Sequence, residues 1–152
     1  MDQRRILARE RRGAAIHEAG HLVVARWAGA EIASAWILPN EDPVPDEKTW
    51  SGRVQIGGVI NIDPHRRRMI GVAGAVAEHL WFGGWIENFD PDDSSISESD
   101  WHLAGSEPGH SDDALWKAVE STGRMLRLDG PVWPRVLHEA RRLIVGARGF
   151  LG

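Results

Sequence analysis

Apolar side chains recur at helical spacing close to the start of the chain. Between residues 8 and 28 they include Ile16, Ala19, Val23 and Trp27, and the stretch holds no proline and only two glycines. This period predicts an amphipathic helix ending near Gly29. Two β-like segments follow. Ile32 to Leu38 is rich in Ala, Ile and Trp and stops at Pro39, while Arg53 to Ile62 alternates through Val54, Ile56, Val59 and Ile60. The Gly57-Gly58 pair inside the second predicts a bulge or bend. Pro39 to Ser51 carries further prolines and several charges and predicts an exposed loop.

Asp63-Pro64 opens a second helix, since Asp caps well and Pro at the first helical position loses no needed hydrogen bond. The helix should run from 64 to about 82 and stop at Gly83-Gly84. Its small residues Gly71, Ala73, Gly74, Ala75 and Ala77 suit close packing, with the first helix as the expected neighbour. Loop from 84 to 96, a short helix from Ser97 to Ala104 and a break at Glu107 to Gly109 come next. Ser111 or Asp112 caps a helix to about Leu126, and Pro131 begins a last one carrying Val132, Val136, Leu137, Ala140, Leu143 and Ile144. The expected fold is mainly α with a small β element, an α+β architecture in one domain spanning residues 1–152.

Composition narrows the chemistry. The 152 residues contain no cysteine, which removes disulfides and thiolate ligands, so a metal must be held by His and carboxylate. A net charge of -4 gives no general attraction to nucleic acid. The charge is uneven: Arg4, Arg5, Arg9, Arg11 and Arg12 crowd the first helix, and Glu87, Asp90, Asp92, Asp93, Glu98 and Asp100 crowd one loop. Both runs read as solvated surfaces. The arginine-rich start has no secretory pattern, and Met69 to Ile86 is interrupted by Glu78 and His79, so a cytoplasmic protein without a membrane span is expected.

The sharpest feature is His-Glu-Ala-Gly-His at residues 17 to 21. On a helix, His17 and His21 share one face, one turn apart, and both imidazoles reach a single ion. Glu18 lies beside them as a general base for water activated by zinc. This is the HExxH arrangement of zinc hydrolases. Gly20 costs about 1 kcal/mol in a helix interior, which suggests close approach to the backbone there. The longer metzincin pattern fails, because positions 24 and 27 are Val24 and Trp27.

The stretch RGAAIHEAGHLVVARWA, Arg12 to Ala28, resembles the zinc-binding helix of FtsH-type peptidases, and AGAVAEHLWFG, Ala73 to Gly83, resembles that family's second characteristic segment. The resemblance implies a mainly helical zinc metallopeptidase domain whose third ligand is an aspartate downstream. Asp100 is the best match, since the family has Ala four residues later and Ala104 fits. Asp92, Asp93, Asp112 and Asp113 are shifted alternatives. Glu78 is a ligand in another zincin class; here it is expected to accept a hydrogen bond from a zinc-bound histidine.

The family's ATPase module and membrane anchor have no counterpart in this sequence, and no Walker-type loop occurs. The expected activity is therefore ATP-independent hydrolysis of peptides, flexible protein segments or a dedicated partner protein, or hydrolysis with a borrowed external unfoldase. The alternative is a zinc-binding regulatory module without turnover. Hydrolysis of a non-peptide amide is a third possibility. The segment Arg53 to Ile62 offers an edge for an extended substrate. His65, His79, His102, His110 and His138 read as structural or surface residues, with His102 and His110 near enough to Asp100 to contact an oxyanion. Trp50 and Trp85 are candidates for an exposed groove or partner surface.

Overall fold

A computed structural model describes residues 3–40, 50–93 and 96–151. Five helices are seen among them: α1 Gln3–Ala28, α2 Pro64–Trp81, α3 Glu98–Leu103, α4 Asp113–Leu126 and α5 Trp133–Leu151. Also among the described residues, two strands lie between α1 and α2, β1 Glu31–Pro39 and β2 Trp50–Gly57. They pair antiparallel into a two-stranded ribbon, with Trp36 opposite Arg53 and Ser34 opposite Gln55. The fold is thus mainly helical with a small antiparallel element. The part of the expected exposed loop from 41 to 49 lies outside the described residues.

Local chemistry sets the boundaries. Gly29 takes φ 86° and ends α1, a conformation that costs glycine little. Asp63 accepts a 3.1 Å hydrogen bond from the Arg66 amide and caps α2. Asp112 caps α4 through the Leu115 amide at 2.9 Å. The first helix begins earlier than its apolar stripe, because the arginine-rich turns from Gln3 extend it with good helix formers.

The second strand departs from expectation. It covers Trp50–Gly57, stops where Gly58 adopts φ 73°, and gives way to a 3₁₀ turn at Val59–Asn61 that leaves Ile60 83% exposed. The ribbon's irregularity falls in β1, between Ile32 and Ser34. A positive φ at glycine ended the strand where alternation alone suggested continuation.

Helix α2 is the central element, with Met69 to Ala77 buried without interruption. It packs on α1 on one side and α4 on the other, while α5 packs against α1 and β1. A Cβ at Gly20 would stand 2.7 Å from the Ala73 carbonyl oxygen and 2.8 Å from Ala77 Cβ. The small residues therefore let the α1 and α2 backbones touch. Val24, Val72, Val76, Leu115, Val119, Leu126 and Val136 are fully buried in the shared core, each stabilising the fold by about 1.5–3 kcal/mol relative to exposure. Among the described residues no helix is long and apolar enough to cross a membrane.

Candidate metal centre

His17 and His21 project from the middle of α1 towards α2 and α3. Each ring is oriented through its Nδ1. His17 Nδ1–H donates to Glu78 Oε1 at 2.8 Å, and His21 Nδ1–H donates to the Ile70 carbonyl at 2.7 Å. Both partners lie on α2. With these bonds made, the neutral tautomer leaves a lone pair on each Nε2.

The two Nε2 atoms converge on Asp100 Oδ2. Oδ2 lies 3.1 Å from His17 Nε2 and 3.3 Å from His21 Nε2, and the nitrogens are 3.3 Å apart. Three acceptor atoms at such separations repel unless a proton or a cation lies among them. A tetrahedron with metal bonds of about 2.0–2.1 Å has edges of about 3.3–3.4 Å. The donor set and its spacing therefore fit zinc, which His17, His21 and Asp100 would hold at the cleft they line.

Gly74 gives a second test of fit. A Cβ there would run into His21 Nε2 and into Nε2 and Cδ2 of His17. Helix α2 thus holds a glycine beneath the converging nitrogens, where any side chain would displace the rings. Sequence reasoning attributed Gly71 and Gly74 to packing against the first helix. Ala73, Gly74 and Ala77 do meet α1, Gly74 through the imidazoles of His17 and His21, whereas Gly71 lies against Ala104 of the α3 end.

Asp100 is carried by a six-residue helix that tertiary contacts hold in place. Ser97 accepts from the Asp100 amide at 3.2 Å. Trp101 and Ala104 are buried, and Ala104 seats directly on Gly71. Arg67 donates from Nε to the Leu103 carbonyl at 3.1 Å and from Nη2 to the His102 carbonyl at 3.2 Å, tying the end of α3 to α2. Arg67 was not identified from the sequence, where nothing marks it among the neighbouring arginines.

Charge and burial oppose each other here. Burial alone would lower His17, but hydrogen bonds to Asp100 and Glu78 and the charge of Glu18 outweigh it, and its pKa is pushed up to about 10. His21 is raised for similar reasons, burial being overcome by Asp100. Asp100 would be raised by burial yet is held well below the usual carboxylate range by the two histidines. Glu18, 7% exposed, is raised chiefly by burial, against the pull of the histidine charges.

Gly52 of β2 closes over Glu18. A Cβ at this position would lie 2.6 Å from Glu18 Cγ, 2.8 Å from Ile37 Cγ2 and 2.9 Å from the Trp36 carbonyl oxygen. The ribbon therefore approaches the catalytic candidate through a position that only glycine fits. A cleft of about 620 Å³ opens above, with α1 on its floor, β2 along one wall and α3 along the other. Every residue from Trp50 to Ile56 lines it in succession, and among the described residues no strand other than β1 pairs with β2, so its second edge faces the cleft.

The other acidic candidates lie elsewhere. Asp92 accepts a 2.5 Å hydrogen bond from the Ser111 hydroxyl, Asp112 caps α4, and Asp113 sits exposed in the first turn of α4. The side chain of Asp93 is outside the described residues. His79 bonds the Trp85 carbonyl at 2.7 Å and packs edge-on against Phe89. His102 lines the cleft with an exposed side chain, and the exposed His110 does not. Trp50, expected at the surface, is 8% exposed because the ribbon folds it inward beside Arg11, whereas Trp85 is 74% exposed and lies outside the cleft lining.

No protein-family model matches the chain, and no curated protein matches it.

Proposed function

We propose that the chain is a zinc metallopeptidase in which His17, His21 and Asp100 hold the metal and Glu18 is the general base. The observation that carries this reading is the tetrahedral spacing of three acceptor atoms, 3.1–3.3 Å apart, beside a buried glutamate in an open cleft. A purely structural zinc site closes its fourth position with protein and has no use for such a glutamate.

Zinc would supply Lewis acidity, lowering the pKa of water towards about 7 and polarising a carbonyl. The chain's own residues do the rest. Glu78 and the Ile70 carbonyl fix the tautomers that leave both Nε2 atoms free to ligate. Glu18, its pKa raised by burial, takes a proton from the attacking water and returns it to the leaving amine. The edge of β2 offers backbone groups to an extended peptide, which pairs with it as an added strand. This calls for flexible segments or peptides as substrates, and folded proteins would need a partner or an external unfoldase.

The test pairs metal analysis with a peptide-library digest. Wild type should bind one zinc and cleave, and Glu18→Gln should keep the zinc and lose the cleavage. Full activity in Glu18→Gln overturns the mechanism. Stoichiometric zinc with no cleavage by wild type indicates a binding module instead.

A further inference from the structure

The ribbon's register carries one inference further. Along β2, Ser51, Arg53 and Gln55 are exposed, while the alternate residues Gly52, Val54 and Ile56 turn towards the protein. The exposed face continues onto β1, where the Ser34 hydroxyl donates to Gln55 Oε1 at 3.0 Å. Arg53 stands on this outer face opposite Trp36 and lines the cleft. Its guanidinium pairs with no carboxylate among the described residues. Arg67, the other arginine of the lining, is committed to the carbonyls of α3.

Gly52 fixes where along the strand the chemistry occurs, because it is the β2 residue lying against Glu18. Arg53 is the next residue. A peptide added to the edge of β2 presents alternate side chains to the outer face, and the one directly opposite Arg53 brings its Cβ to about 4.5–5.5 Å. At that distance an Asp or Glu meets a planar, always charged partner shaped for a carboxylate. The outer face is opposite the one on which Gly52 meets Glu18, whose charge would repel an acid placed deeper in the cleft.

We propose that Arg53 selects peptides carrying an acidic side chain beside the bond to be cut, an inference that rests on the peptidase reading and names its substrate class. Because Arg53 is exposed, the preference over a neutral residue should be about threefold to fivefold and should shrink with added salt.

Two measurements test it. In the first, zinc-loaded wild type digests a random peptide library and cleavage sites are read by mass spectrometry. Asp and Glu should be enriched at one position flanking the cut, and Arg53→Glu should shift that position to Lys and Arg while keeping the wild-type zinc content. Cleavage without acidic enrichment, or enrichment unchanged in Arg53→Glu, overturns the proposal. In the second, zinc-loaded Glu18→Gln is titrated with decapeptide pools fixed as Asp or as Lys at one central position. Tighter binding of the Asp pool, reversed by adding Arg53→Glu, supports the proposal even where wild type cleaves nothing, in which case only the peptidase reading fails. Equal binding of the two pools, or binding of neither, overturns it.

Discussion

Glu78 accepts a 2.8 Å hydrogen bond from Nδ1 of His17, so this carboxylate supports the histidine from behind, as expected of it, in place of the ligand role such a glutamate has in another zincin class. Loss of such a partner typically lowers metal affinity 10–100-fold. Glu78→Ala should weaken zinc binding by about that factor, and Glu78→Gln, which keeps an acceptor oxygen, by less. Competition with a chromogenic chelator measures both. Equal affinity in all three proteins would show that the bond does not tune the site.

Gly74→Ala separates folding from metal binding. Alanine favours a helix interior by about 1 kcal/mol over glycine, yet its Cβ would enter the space of both imidazoles. The variant is expected to fold with helix content close to wild type and to lose zinc affinity by more than about 100-fold. Circular dichroism and metal analysis on one preparation decide this.

Gly52→Ala probes the other wall of the site. The added methyl would press on Glu18, Ile37 and the β1 backbone at 2.6–2.9 Å. Overpacking of this kind costs about 1–3 kcal/mol. Unfolding midpoints should fall accordingly, and hydrolysis should drop further than zinc content because Glu18 is displaced while the ligands stay. Proportional loss of both would refute that division.

The pH dependence follows from the raised histidines and has opposite signs with and without metal. In metal-free protein, the stability due to His17 is fully present below its ordinary value of 6.5 and is lost as pH rises through about 10. The contribution of Asp100, whose pKa is lowered, is present above its ordinary value of 3.8 and fades as pH falls below it. Zinc must displace the histidine proton, so its apparent affinity should climb about tenfold per pH unit for each proton released. Isothermal titration at several pH values in two buffers counts those protons. A pH-independent affinity between 6.5 and 10 would contradict the raised pKa.

Much of the site was legible because it depends on local rules. The spacing of His17 and His21 needs only a helix, and Asp100 came from the family resemblance, through Ala104 four residues after it, on the short helix expected from Ser97. The structure gives those neighbours physical roles: Ser97 caps the helix, and Ala104 seats it on Gly71. The ribbon was less legible. Its second strand begins at Trp50 and ends at Gly57, a length set by pairing with β1 and by the turn at Gly58. The contact of Gly52 with Glu18 joins segments distant in sequence, and no local pattern signals it. Arg67 escaped for the same reason, since its partners are carbonyls on α3.

The pairing of His17 with Asp100 has a mechanical side. The two residues are 83 positions apart, so an ion shared between them would tie α1 to α3 across the ribbon and all of α2. A bridge over so long a loop restricts the unfolded chain by an amount worth about 4–5 kcal/mol on chain-entropy grounds. In a sequence without cysteine, the metal would be the staple as well as the reagent, and a chelator would loosen the fold as it silenced the chemistry.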